Sequence, residues 1–329
     1  MKDNVCQGNQ KHYDYFLDWI ADIVQNPGKK NGIAVALRGI PGAGKTIVGD
    51  IIIELLGNSM AVAVDASAID NHFNFILSNK LFIVADESIW AGDRKVENKL
   101  KKMITDKTIN IEPKGKDTYE LDNHMRILFT SNNDWMVPVD KGDRRYFVLD
   151  VGDDQVRNPE YFRLMMEELE NGGYGKLMYV LKNRDLSKRV WREIPETEAK
   201  VEQRLNNLEI FDKWVFDSVD YGYVTETLTF DWYIYRNEDQ ESDGYEIPLL
   251  DLYKKFSDYN SYVGRNREYR LNSNSFGKKW SRMTGMESKR IREDGKQIRV
   301  RVVPNKEDLL KMLGRFTDID VDLLVEMKN

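Results

Sequence analysis

The sequence predicts an α/β protein with a mainly parallel sheet, followed by a helical region and a C-terminal domain of winged-helix pattern. Three observations predict it. A short apolar strand at 33–37 runs into a glycine-rich loop and then a helix. Further apolar strands at 81–85, 127–130 and 146–150 alternate with helical stretches, the pattern of a parallel sheet. Charge reverses after residue 245: from 246 to 303 there are 14 Lys or Arg against 7 Asp or Glu, inside a chain of net charge −6. At 329 residues the chain fits two or three domains. The expected divisions are a lead-in over 1–30, a P-loop core over 31–150 and a helical extension over 151–216. An acidic linker or insert over 217–245 and a basic winged-helix-like domain with a C-terminal helix over 246–329 follow.

Each element has a local cause. Residues 12–26 place Phe16, Trp19, Ile20, Ile23 and Val24 at helical spacing, and Pro27 ends that helix. After the strand and loop, 47–56 reads as a helix closed by Gly57, and 69–78 as another helical stretch. Residues 97–105 are helical, and 108–120 hold two short alternating runs around Pro113-Lys-Gly, as a hairpin requires. Residues 160–183 and 195–219 read as helical. The basic segment then gives helices at 249–258 and 275–283 and a hairpin at 289–303 around Gly295. No run of about 18 apolar residues offers a membrane span. One cysteine and three scattered histidines exclude a disulfide framework and a structural zinc site.

Gly39-Ile-Pro-Gly42-Ala43-Gly44-Lys45-Thr46 matches the full P-loop pattern between a strand and a helix. Its glycines let backbone N–H groups approach phosphate oxygens, and the following helix turns its positive end toward them. Lys45 is expected on the β- and γ-phosphates of ATP, and the Thr46 hydroxyl on Mg²⁺. The apolar strand ending in Asp86-Glu87 would bring Asp86 to the same Mg²⁺ and Glu87 to the attacking water. The strand at 127–130 ends in Ser131-Asn132, and ligands sit at the carboxyl ends of parallel strands, so Asn132 is expected to orient that water. Asp143-Arg144-Arg145 offers an arginine finger for the phosphoryl group, with no basis in sequence for choosing between the arginines. Each of these short motifs also occurs as an ordinary solvated turn; their joint presence after a complete P-loop favours the chemical reading.

The order of these motifs resembles the superfamily 3 helicases, in particular the poxvirus D5-like and phage primase-helicase branch. Asp143-Arg-Arg-Tyr-Phe-Val, Tyr161-Phe162, Glu168-Leu-Glu-Asn-Gly-Gly, Leu181-Lys-Asn-Arg-Asp-Leu and Ile194-Pro-Glu-Thr extend the resemblance over residues 12–215. The resemblance implies an AAA+-like core, a homo-hexameric ring with ATP sites shared between subunits, and translocation on single-stranded DNA. It also implies that the hairpin bearing Lys114 and Lys116 projects into the ring channel, where lysines suit sequence-blind phosphate contact. Family members often carry a primase or polymerase domain. The 1–30 lead-in is too short for one, so a separate primase or polymerase is an expected partner.

The expectation is therefore an ATP-dependent DNA helicase of phage replication, in the cytoplasm of an infected bacterium, acting on single-stranded and forked DNA. The alternative is an AAA+-type loader or origin-binding initiator that does not translocate. A small-molecule kinase is disfavoured by Glu87, Asn132 and the basic tail. In the winged-helix-like domain, Lys278, Lys279, Arg290, Arg299 and Arg301 are the expected phosphate contacts on duplex DNA.

Overall fold

The computed structural model describes residues 1–65, 74–86, 94–220, 245–263, 271–293, 295–304 and 306–320. The chain divides into two compact units, Met1–Asn207 and Leu208–Asn329.

The first unit is built on five strands: β1 (Ala34–Arg38), β2 (Ala61–Asp65), β3 (Phe82–Asp86), β6 (Arg126–Ser131) and β7 (Tyr146–Asp150). All pair in parallel, in the order β2-β3-β6-β1-β7. Short apolar runs suit such a sheet because both of its faces are covered. Alternate residues of β1 show this: Val35 and Leu37 join one buried cluster, Ala34 and Ala36 the other. The first cluster includes Phe16, Trp19, Ile20 and Ile23 of α2 (Gln10–Gln25) and Val48 and Ile52 of α3 (Lys45–Leu56). The second takes Leu100, Met103 and Ile104 from α4 (Arg94–Thr105). Asn9 caps α2 by accepting the His12 N–H, and Gly57 closes α3 at φ 80°. A short helix, α1 (Lys2–Val5), precedes α2.

Strand β2 has no counterpart in the sequence reading. Its Ala-Val-Ala-Val-Asp run has weak strand propensity, lies at the sheet edge and is only partly buried. Half of the helix expected over 69–78 lies outside the described residues; what is described there is a single 3₁₀ turn, Phe75–Leu77. Between β3 and β6, β4 (Thr108–Ile111) and β5 (Tyr119–Asp122) form the expected antiparallel hairpin. Asn74 pins it, donating to Asn110 O at 2.9 Å and accepting from Glu112 N–H at 2.8 Å. Beyond β7, α5 (Pro159–Glu168) and α6 (Tyr174–Asn183) meet at a kink where Gly172 takes φ 93°. Helix α7 (Glu198–Asn206) ends the unit.

The helical stretch expected over 195–219 is broken at 207–209, and its second half, α8 (Ile210–Asp220), belongs to the second unit. The reason is aromatic: Phe211 and Trp214 pack with Phe256, Phe276 and Trp280, ring centroids 5.4–6.5 Å apart. Those partners come from α9 (Leu249–Val263) and α10 (Ser273–Thr284). An antiparallel sheet of order β8-β10-β9 completes the unit, from β8 (Tyr245–Pro248), β9 (Lys289–Glu293) and β10 (Lys296–Val303), with α11 (Lys306–Thr317) after it. Most of the acidic stretch expected as a linker, 221–244, lies outside the described residues.

Candidate active site

Register fixes what meets at the carboxyl edge of the five-stranded sheet. Arg38, the last residue of β1, stands level with Ser131 of β6 and Asp150 of β7, and Asp86 of β3 stands level with Thr130 and Asp65. The loop over 39–46 therefore leaves the sheet with Ser131 on one side, and the Gly39 N–H donates to Ser131 O at 3.2 Å. Thr130 donates its hydroxyl to Asp86 Oδ1 at 2.5 Å, which orients the carboxylate at the end of β3.

The loop glycines have a second task besides conformational freedom. Gly44 sits at φ 95°, where L side chains are strained, and a Cβ there would stand 2.8 Å from the Phe162 ring. At Gly39 a Cβ would come within 3.2 Å of Val151 O. The segment after β7 thus lies directly against the loop and holds its shape. Asn4 adds a clamp from α1, donating to Ala43 O at 2.9 Å and accepting the Gly152 N–H at 2.8 Å.

Lys45 opens α3 and donates to Gly39 O at 2.7 Å and Ile40 O at 3.0 Å, so its ammonium is held over the loop mouth. Burial lowers its pKa, and the charge of Asp86 acts in the opposite sense. Asp50, one turn along α3 from Thr46, has its pKa raised, first by burial and then by Asp86. Thr46 is exposed on the side of the helix start, and Asn132 is exposed just past the end of β6, on the same edge. Glu87 lies outside the described residues. Arg38, a residue the sequence reading passed over, is ion-paired to Asp150 at 2.6 Å and to Glu202. Burial opposes its charge, but those two carboxylates outweigh burial and hold its pKa above the ordinary guanidinium value.

The arginine pair is elsewhere. Arg145 immediately precedes β7, and its carbonyl accepts the Ala34 N–H, so Arg144 and Arg145 stand at the amino edge. Arg145 is five residue steps along β7 from Asp150, roughly 16 Å, and Arg144 one step further. Neither arginine can brace Asp86 and Asn132 in its own chain, a role open to them from sequence. Arg145 is bound to the buried Asp143 at 3.0 Å. Arg144 is exposed and makes no hydrogen bond or ion pair among the described residues.

Lys114 and Lys116 are exposed at the tip of the β4–β5 hairpin. The Lys116 N–H donates to Pro113 O across a turn in which Gly115 takes φ 74°. In the second unit Lys278, Arg290 and Arg299 are exposed. One expected phosphate contact, Lys279, needs correction, and another, Arg301, sits deeper than its neighbours. Lys279 is bound to Glu209 at 2.7 Å and Asp212 at 3.1 Å, and sits over the Phe211 ring. Arg301 is only 6% exposed, under α10. Sequence could not separate these from their neighbours, because partners distant in the chain decide their burial.

With this geometry in hand, similarity to known proteins can be placed. Residues 37–145 match the model of a family of unknown function, DUF5906, from β1 to the arginine pair. A DNA primase-polymerase of Nitratiruptor phage NrS-1 is 27% identical over 181 residues, 54% of this chain and 25% of that protein. The apo structure of the NrS-1 C-terminal region (305–718) superposes with a TM-score of 0.67 at 20% identity, covering 92% of this chain and 74% of that one. A second apo form gives 0.64 at 21% identity over the same shares. The chain is related to a phage primase-polymerase. It spans a quarter of the length of that curated relative, and its α/β fold resembles the relative's C-terminal region. A JCV helicase superposes with a TM-score of only 0.35, too loose to carry any argument. No helix among the described residues is long and apolar enough to cross a membrane.

Proposed function

We propose that the chain is an ATP-dependent DNA helicase of phage replication, with an AAA+-like core that works in a homo-hexameric ring. The observation that carries the reading is the glycine loop over 39–46 leaving the carboxyl end of β1 beside Asp86 and Ser131. Amides of Gly42, Ala43, Gly44, Lys45 and Thr46 would cradle the phosphates at the start of α3. The Lys45 ammonium, held now by two neutral carbonyls, would exchange them for phosphate oxygens, which bind it more strongly.

Thr46 and Asp86 fit as the protein's share of a Mg²⁺ shell: an exposed hydroxyl at the loop and a carboxylate with one oxygen already tied to Thr130. Mg²⁺ is commonly held by one or two such groups together with phosphates, and it would offset phosphate charge. Glu87, next in the chain after Asp86, would accept a proton from the water that attacks the terminal phosphorus. The bond from that phosphorus to the bridging oxygen breaks, giving ADP and phosphate. Asn132 would orient the water from the next strand.

The finger would come from a neighbouring subunit. Arg144 and Arg145 lie at the amino edge, too far to serve their own loop, while a neighbour could present them to it. Arg144, exposed and unpaired among the described residues, is our choice of finger; Arg145 is held by Asp143 and would set the loop that presents it. Lys114 and Lys116, free at a rigid hairpin tip, would grip single-stranded DNA. The second unit, with two helices leading into the β9–β10 hairpin, has the order of a winged helix and would hold duplex at the fork. A separate primase would supply primers.

Replacing Lys114 and Lys116 together with Ala tests the motor. Basal hydrolysis should persist, while stimulation by DNA and strand displacement on a forked substrate should collapse. The salt dependence of single-strand binding should flatten by about 0.7 per lost contact in log–log slope. Strand displacement at the wild-type rate by the double variant would refute the channel role of the two lysines, and a hydrolytic response to DNA kept without any strand displacement would favour a loader or initiator.

A further inference from the structure

We propose that the face of the β9–β10 hairpin bearing Arg290, Arg292, Arg299 and Arg301 is a built phosphate site for the backbone of duplex DNA, with Arg301 at its base beneath α10. It rests on reading the second unit as a DNA-holding module.

Register puts the four arginines together. Arg290 is directly opposite Arg299, Arg292 is opposite Gln297, and Arg301 lies two residues beyond Arg299 on the same face. Like charges directly opposed across two strands destabilise a sheet. Among the described residues none of the four makes an ion pair, although Lys289 on the other face pairs with Glu246. The carboxylates that normally repay such crowding are missing from this face and present on the other.

Arg301 makes the case specific. It is 6% exposed, and among the described residues its Nε and Nη1 have no hydrogen-bond partner. Its guanidinium lies against Gly277 of α10, where a Cβ would stand 2.6 Å from Nη2 and 3.4 Å from Cζ. The helix therefore carries a glycine where the arginine enters. Burial, and then the charge of Arg299, push the Arg301 pKa below the ordinary guanidinium value. Stability alone would favour an apolar side chain of the same volume at such a position. An unpaired buried guanidinium is understandable where an anion supplies the missing acceptors, and arginine's planar fork matches two phosphate oxygens.

The surroundings point to a polymer of phosphates. The Trp280 indole donates to Val302 O at 3.1 Å, which fixes α10 to β10 and forms a corner between helix and hairpin. Along α10, Asn274, Lys278 and Arg282 recur every four residues, all exposed. Arg299 and Arg301 are about 7 Å apart along the strand, a repeat comparable with that of successive phosphates in a nucleic-acid strand. A helix and a hairpin meeting at a basic corner suit the ridge and groove of a duplex.

The test compares the full-length wild type with Arg301→Met and with Arg290→Ala/Arg299→Ala. Binding of a fluorescein-labelled short duplex of arbitrary sequence is titrated at several salt concentrations, and Tm is measured without DNA. Arg301→Met should weaken binding on the order of tenfold while leaving Tm equal or higher. The double variant, at exposed positions, should flatten the log–log salt slope by about 1.8 and raise Tm by removing an opposed pair. Wild-type affinity and salt slope in both variants would overturn the site and leave the DNA-holding reading standing. A wild type that does not bind duplex at all would overturn both. A fall in Tm in the double variant would mean that the face already pairs with an acidic stretch of the chain, such as 238–243, and would also overturn the site.

Discussion

The two edges of the five-stranded sheet use charged residues in opposite ways. At the amino edge Arg126 is fully buried and spends its guanidinium on the protein: Asp22 at 3.0 Å, Asn26 O at 2.9 Å, and the carbonyls of Pro27, Lys29 and His124. Asp22 in turn accepts from Asn26 and Asn31. At the carboxyl edge, 13–17 Å away on the scale of a five- or six-residue strand, Lys45 donates to two loop carbonyls, its hydrogen bonds among the described residues, and Thr46 and Asn132 are exposed. The difference teaches that charge at a strand end is not by itself a sign of function. A buried group tied to its own chain by several bonds holds the fold, and an accessible group held by few can act on something else. Two residues break the rule: Arg38, a carboxyl-edge cation held by Asp150 and Glu202, and Arg144, an amino-edge cation without a partner among the described residues.

The largest expected effect is on the filled edge. Arg126→Ala should cost about 3 kcal/mol of stability, because it strands Asp22 in the interior and removes the closure of the α2–β1 connection. Chemical denaturation checks this, and nucleotide affinity of the folded fraction should be unchanged. Gly44→Ala should cost about 2 kcal/mol from the left-handed backbone and the Phe162 contact, and should also weaken nucleotide binding. An alanine variant as stable as the wild type would mean that the segment after β7 does not brace the loop.

The arginine pair sharpens the contrast within three residues. Arg145→Ala removes a part-exposed bridge to Asp143, whose carboxylate still accepts two backbone N–H groups, so the cost should be about 1 kcal/mol or less. Arg144→Ala should stay within about 0.5 kcal/mol of wild-type stability. Yet Arg144→Ala should stop hydrolysis, and mixing it with Lys45→Ala subunits should restore part, since a mixed interface pairs a sound loop with a sound finger. A demonstrated mixed assembly no more active than either parent would rule out a shared site.

An effect that only pH exposes lies with Lys30, whose ammonium donates to Met103 O near Arg126. Burial, then the charge of Arg126, lowers its pKa from 10.5 to about 7. The folded state thus holds this proton less tightly than the unfolded chain does. The cost to stability grows as pH falls from 10.5 toward 7 and levels off below. Between pH 7 and pH 9, Tm should rise more in the wild type than in Lys30→Met. Equal slopes would show that the lysine is not the source.

What sequence made legible was local. Strand β1, the loop over 39–46, the helix closed by Gly57 and the hairpin turn at Gly115 each carry their own signal within a dozen residues, and the structure has them where that signal lies. What it could not make legible depends on register and on distant partners. Thr130 reaches Asp86 only because β6 lies beside β3, and β2 joins the sheet only because β3 offers an edge. The Lys278-Lys279 pair reads as two equal cations until Glu209 and Asp212, some 70 residues earlier, claim one of them. Arg299 and Arg301 read alike until α10 covers one. The arginine pair at 144–145 was visible as a pair of adjacent cations, while its place at the opposite edge from the loop emerged only with the pairing of β7 to β1.

The central claim is that the carboxyl edge of this sheet holds a nucleoside triphosphate. Equilibrium binding of a fluorescent ATP analogue with Mg²⁺ to the wild type and to Lys45→Ala, at matched Tm, tests it most directly. Saturable binding by the wild type that is lost in the variant, with ATP hydrolysis lost alongside, is the predicted result. Equal binding by both proteins, or none by the folded wild type, would contradict the account.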